Sequence, residues 1–177
     1  AKRNEWLASE TCTVKAVIDY IVKTGQMRDA QVEAIKTYLF LKIACGCKPL
    51  AELFCEGAFN TLDLDDSEVS HSTRKYLKEN KAAAALFEYA CLTNDAGEQV
   101  SPRLEQQIRK APESIDYGKF FRDAFYDLSY TDYLFSLPMG AGKTYLMAAF
   151  IYLDLYFARN EPKNSAFAHN FIIFAPS

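Results

Sequence analysis

The residue types best suited to chemistry in this chain lie together in the run Leu137-Pro138-Met139-Gly140-Ala141-Gly142-Lys143-Thr144. Their order suits the binding of a phosphate chain. Glycines at 140 and 142 let the backbone bend sharply and keep Cβ atoms away from a ligand. The backbone N–H groups of Gly140, Ala141 and Gly142 can then converge on one phosphate. A helix opening near Lys143, with Tyr145 in its first turn, adds the positive end of its dipole. Lys143 would bridge β- and γ-phosphate oxygens as a mobile cation, and the Thr144 hydroxyl would ligate Mg2+.

Such a loop needs a strand leading in and a helix leading out. Tyr130–Leu137 is short and aromatic-rich, as strands are, and Tyr145–Arg159 is an apolar stretch of helical length. A polar connection, Glu161–Asn170, leads to Phe171–Ala175, a second buried-type strand. Strand, helix and strand make one βαβ unit, expected to be parallel and right-handed. Upstream, to about Leu128, the pattern is helical. Helices are expected over 5–24 with Gly25 as stop, from Asp29 to Gly46, from Pro49 to Cys55, over Thr73–Leu92, from Ser101 to Lys110 and over Asp116–Asp127. Asn94-Asp95-Ala96-Gly97 reads as a turn. The expected fold class is therefore α/β but mostly helical, with a helical region at 1–128 and the start of a phosphate-binding α/β domain at 129–177.

Composition narrows the function classes. Half of the 177 residues are apolar, which supports a packed core and excludes an intrinsically disordered chain. Twenty Lys+Arg against 23 Asp+Glu exclude a globally cationic nucleic-acid or membrane-surface binder. The five cysteines are an odd number scattered through helical segments, and the polar N-terminal residues carry no secretory leader, so a reducing, cytoplasmic setting is expected. Cys45-Gly46-Cys47 lacks a second pair to complete a zinc site and reads as ordinary thiols. The longest apolar stretch, Tyr145–Ala158, is interrupted by Asp154 and is too short for a membrane span, so no membrane partner is expected. Asp63, Asp65, Asp66 and Glu68 lack the glycine and terminal glutamate of a calcium loop and read as a solvated acidic loop. Arg74, Lys75, Lys78 and Lys81 read as a solvated helix face, and His71 and His169 have no nucleophile at a motif spacing.

Pro138-Met139-Gly140-Ala141-Gly142-Lys143-Thr144 resembles motif I of superfamily 2 helicases and translocases, with Met139 where that family usually has threonine. The closing FIIFAPS resembles their motif Ia strand. Met27-Arg28-Asp29-Ala30-Gln31-Val32-Glu33-Ala34-Ile35 resembles the Leu-Arg-x-x-Gln-x-x-Ala-Ile segment that precedes motif I. The combination is most similar to the helicase-like domain of type III restriction-enzyme R subunits. The resemblance covers roughly 25–45 and 130–177, and makes the helices between them an insertion or accessory subdomain.

What the resemblance implies is a RecA-like domain binding ATP and Mg2+. Gln31 would read the adenine edge through its paired donor and acceptor, and Pro176 and Ser177 would touch the phosphate backbone of double-stranded DNA. A methyltransferase modification subunit is the implied partner. The family also needs an Asp-Glu motif on a buried strand and an arginine finger. Neither is in this sequence, because Asp63–Asp66 lie in a polar stretch before the loop and Asp154 lies inside a helix. The expectation is therefore the N-terminal part of a longer enzyme, inactive by itself. Two rivals are a different P-loop NTPase or kinase, and a non-enzymatic helical interaction module.

Overall fold

The computed structural model describes residues 2–24, 26–65, 68–128 and 130–174. Gly25, the expected helix stop, lies outside them. The described chain is mostly helical: α1 (Lys2–Ala8), α2 (Lys15–Thr24), α3 (Asp29–Leu39) running into a π-helical turn (Phe40–Ala44), α4 (Leu50–Cys55), α5 (His71–Glu79), α6 (Lys81–Ala90), α7 (Pro102–Lys110), a 3-10 turn (Pro112–Ser114), α8 (Tyr117–Ala124) and α9 (Lys143–Asn160). No helix among the described residues is long and apolar enough to cross a membrane.

Two expected helices are each broken in two. The stretch 5–24 is interrupted between α1 and α2, where the Ser9 hydroxyl donates to the Trp6 carbonyl (2.7 Å) and contacts the Thr11 hydroxyl (2.7 Å). Hydroxyl side chains that bond the local backbone compete with helix propagation. The stretch 73–92 breaks at Asn80, whose backbone is extended (φ −117, ψ 99) and whose side chain accepts from the Ala83 N–H (3.0 Å), capping α6.

The expected strands differ more. Among the described residues no segment forms a ladder, the one isolated bridge being Thr93 with Gln99 across the Asn94–Gly97 turn. Tyr130–Leu137 and 171–174 therefore do not make the predicted βαβ pair. A strand is stabilised by the neighbour it hydrogen-bonds, and two strands alone make a poor parallel sheet. Residues 131–137 still alternate half-buried with exposed, the period of a strand with one packed face.

Contacts divide the chain into two units, one of residues 1–2 with 48–133 and the other of residues 3–47 with 134–177. This is not the expected split at 128, because 3–47 and 134–177 share one core although 48–133 lies between them in sequence. Among its described residues the inserted unit is helical apart from the Thr93–Gln99 bridge. Ala83, Ala85, Leu86 and Phe87 of α6 pack with Leu77, Ile108, Tyr117 and Phe121. Small alanines around α6 let neighbouring helices approach closely. Ser70 and Asp116 cap α5 and α8 by accepting from the Thr73 N–H (3.1 Å) and the Lys119 N–H (2.9 Å).

In the other unit α9 packs on α3, and α2 packs on α3 as well. Its core joins Val14, Ile18, Ile35, Tyr38, Leu39, Leu146, Leu153, Phe157 and Phe167. Tyr38 stacks on Phe150 (centroids 4.2 Å) and meets the edge of Phe135 (6.2 Å), which seats the segment before the loop against both helices.

Candidate nucleotide-phosphate site

The glycine-bearing loop is a tight turn feeding α9. The Ala141 N–H donates to the Pro138 carbonyl (3.2 Å), and Gly140 and Gly142 both take the left-handed conformation at φ +76. At that angle an L side chain is strained, so the two glycines are required by the bend itself. The Ala141 amide is thus spent inside the turn and is not one of the ligand-facing donors expected from the sequence.

Helix α9 starts at Lys143, with Gly142 as its N-cap. Lys143, Thr144 and Tyr145 therefore form its first turn, where amides point out along the helix axis instead of bonding within it. Their side chains are exposed, as are Gly140 and Met139. Successive residues of the first turn of an 18-residue helix thus carry an ammonium and a hydroxyl at its positive end.

Gln31 reaches this loop across 111 residues of sequence. Its Nε2 donates to the Gly142 carbonyl (3.1 Å), and its Oε1 accepts from the Arg28 backbone N–H (2.9 Å). The residue is 4% exposed. The second bond closes the first turn of α3, whose N-cap is Arg28. The Arg28 guanidinium donates to the Gly140 carbonyl. Two side chains from the start of α3 therefore hold the two glycine carbonyls. The structure brings Gln31, Gly140, Ala141, Gly142, Lys143, Thr144 and Tyr145 into one neighbourhood. Pro176 and Ser177, expected at nucleic acid, lie outside the described residues.

Two sets of contacts have no counterpart in the sequence pattern, that of Arg28 with Gly140 and those of Asp154. Asp154 is 2% exposed and accepts from the Tyr38 hydroxyl (2.5 Å), the Lys42 ammonium (3.2 Å) and the Ala168 N–H (3.0 Å). Burial, and then the bond to Asp154, push the Tyr38 phenol well above the ordinary tyrosine range, so it stays a proton donor. One signal was available for Asp154: a lone carboxylate in an apolar run must find a buried partner. Sequence alone did not say which. The basic residues of α5 are engaged elsewhere, Lys78 with Asp65 (2.6 Å) and Lys75 with Glu79 (4.0 Å).

Comparison with family models, curated proteins and solved structures finds no match to this chain.

Proposed function

We propose that this chain carries the adenine- and phosphate-recognition elements of an ATP-dependent DNA helicase or translocase, of the kind that serves as restriction subunit in type III-like systems. The observation that carries the reading is the hydrogen bond from buried Gln31 to the Gly142 carbonyl. It joins the two segments that the helicase resemblance pairs, and nothing in a chance glycine turn calls for it.

The residues suit the phosphates. Gly142 has its absent Cβ side filled by Gln31, and Gly140 is open. Lys143 would meet the β- and γ-phosphates. Thr144 would hold Mg2+ through its hydroxyl, the ion supplying charge neutralisation on the phosphate oxygens when bound. Gln31, whose oxygen and nitrogen already bond the Arg28 N–H and the Gly142 carbonyl, would use its second amide hydrogen and second oxygen lone pair on the adenine edge. Asp154 is bound up in the core and is not the missing acid; the chain by itself is expected to bind nucleotide weakly and not to hydrolyse it.

In this reading residues 130–137 and 171–174, which form no ladder here, would become strands only on pairing within a RecA-like sheet. That accounts for the large apolar side chains left exposed there, Leu134, Ile172 and Phe174. Double-stranded DNA and a methyltransferase subunit would be the partners of the whole enzyme, working in the cytoplasm.

Binding of a fluorescent ATP analogue with Mg2+ tests the reading. Lys143→Ala should weaken binding about tenfold or more, the size of a lost charge-assisted contact. Its stability should stay within about 0.5 kcal/mol, since the side chain is exposed. Unchanged affinity in Lys143→Ala would remove the phosphate role, and ATP turnover by the purified 177-residue chain would remove the expectation of inactivity.

A further inference from the structure

The buried polar cluster around Asp154 is unused by the nucleotide reading, and stability is a poor account of it. Taking two charges out of water costs several kcal/mol per ion, and apolar replacements of such pairs often do as well or better. What a fully hydrogen-bonded buried network supplies is a single allowed geometry.

The cluster ties three segments. Asp154 belongs to α9, Tyr38 to α3 and Lys42 to the π-helical turn that continues α3. Lys42 also donates to the Ala166 carbonyl (2.6 Å), and its ammonium lies 5.6 Å from the Tyr38 ring centre. Gln31 and Lys42 are eleven residues apart on the continuous α3 run, about 16 Å. Gly142 and Asp154 are twelve apart along α9, about 18 Å. The two runs therefore lie side by side in the same direction, joined at one end by Gln31 with Gly142 and at the other by Lys42 and Tyr38 with Asp154. Between these points the contact is apolar, through residues such as Ile35, Leu146 and Phe150. Apolar contacts are non-directional and leave the sliding register underdetermined.

We infer that Asp154, Lys42 and Tyr38 form a positioning clamp that sets the register of α9 against α3 and so holds Gln31 at the Gly142 carbonyl. Its functional consequence, selectivity for adenine over other bases at an already assembled phosphate site, rests on the nucleotide reading above. The clamp itself does not. The same bonds fasten Ala166 and Ala168, so the connection toward 171–174 is referenced to the same point.

The test uses the whole 177-residue chain, first without nucleotide. Hydrogen exchange of the 138–146 peptide reports the loop and the Leu146 N–H bond to Gly142 O (3.1 Å), which opens α9. Gln31→Ala should speed this exchange about fivefold, the value of one hydrogen bond. Lys42→Met with Asp154→Leu, an apolar pair of similar volume, should produce the same rise in a folded chain, and Gln31→Ala should then add nothing. Tyr38→Phe, which keeps the ring stack on Phe150, gives a milder perturbation with an expected rise of about twofold, should the double variant fail to fold. Wild-type exchange in the clamp variants, or a full additional effect of Gln31→Ala, would overturn the inference.

The second arm compares fluorescent ADP, fluorescent GDP and pyrophosphate, each with Mg2+. The clamp variants should lose the preference for ADP while keeping pyrophosphate affinity, a split that a general loss of stability would not produce. Clamp variants that keep the wild-type ADP preference would also overturn the inference. If the wild type shows no such preference while the exchange results hold, the clamp stands and the adenine role of Gln31 falls.

Discussion

Gly142→Ala probes the site through backbone and side chain together. The position has φ +76, and a Cβ built there lies 2.5 Å from Gln31 Nε2. The left-handed conformation costs a non-glycine residue about 1–2 kcal/mol. The clash adds a second cost, but not by compressing backbone, since the atom met is the end of a flexible side chain. Gln31 can swing away, yet it is buried, so it forfeits the Gly142 carbonyl and leaves amide hydrogens unpaired, worth about 1–2 kcal/mol more. Gly140→Ala supplies the internal control. It has the same φ of +76 and nothing within 4 Å of the added Cβ, so it should cost only the first amount. Repeating Gly142→Ala in a Gln31→Ala background should also cost only the first amount, leaving a coupling of about 1–2 kcal/mol between the two positions. Urea unfolding followed by tryptophan fluorescence reads this directly. Trp6 is the sole tryptophan and packs on Phe40 (5.8 Å) in the unit that holds the loop. Equal costs for the alanines at 140 and 142, or full additivity with Gln31→Ala, would refute the contact on which the site depends.

Two further outcomes concern the inserted helical unit. Asn80→Ala should destabilise it by about 1 kcal/mol through loss of the α6 cap. A continuous helix over 73–92 would instead gain stability from alanine, so slower hydrogen exchange in 81–90 would contradict the break. Burial, with lesser contributions from Tyr76 and Glu113, pushes the Tyr117 phenol up to about 12, and its hydroxyl donates to the Pro112 carbonyl (2.6 Å). A folded-state pKa above the unfolded value of 10.0 means that the unfolded chain loses its proton first. The stabilising contribution is whole below pH 10.0 and declines as pH rises toward about 12. Alkaline unfolding of the Tyr117→Phe variant should accordingly begin at higher pH than that of the wild type.

Much of the fold was legible because its causes are local. Pro102 opens α7, Ser70 caps α5 and Asp116 caps α8, each through atoms a few residues away. The Asn94–Gly97 turn likewise closes on itself, Asn94 Oδ1 accepting from the Ala96 and Glu98 N–H groups at 3.0 and 2.8 Å. The helix breaks at Ser9–Thr13 and at Asn80 were not legible, since apolar spacing continues across both. Only the backbone-bonding choice of a hydroxyl or amide side chain interrupts it. Nor could the aromatic and β-branched residues of Tyr130–Leu137 and 171–174 reveal whether a ladder forms, because a ladder depends on a neighbour and not on propensity.

The candidate site divides in the same way. The bend at Gly140 and Gly142, and the cation and hydroxyl opening α9, follow from residues adjacent in the chain, for a left-handed turn needs only the absence of a Cβ. The bonds of Gln31 to Gly142, of Arg28 to Gly140 and of Asp154 to Tyr38 and Lys42 each span more than a hundred residues, and the pairing of Asp154 with Lys42 and Tyr38 has no local signature. Those contacts exist because 3–47 and 134–177 bury one apolar core together, and that burial is a property of the folded chain as a whole.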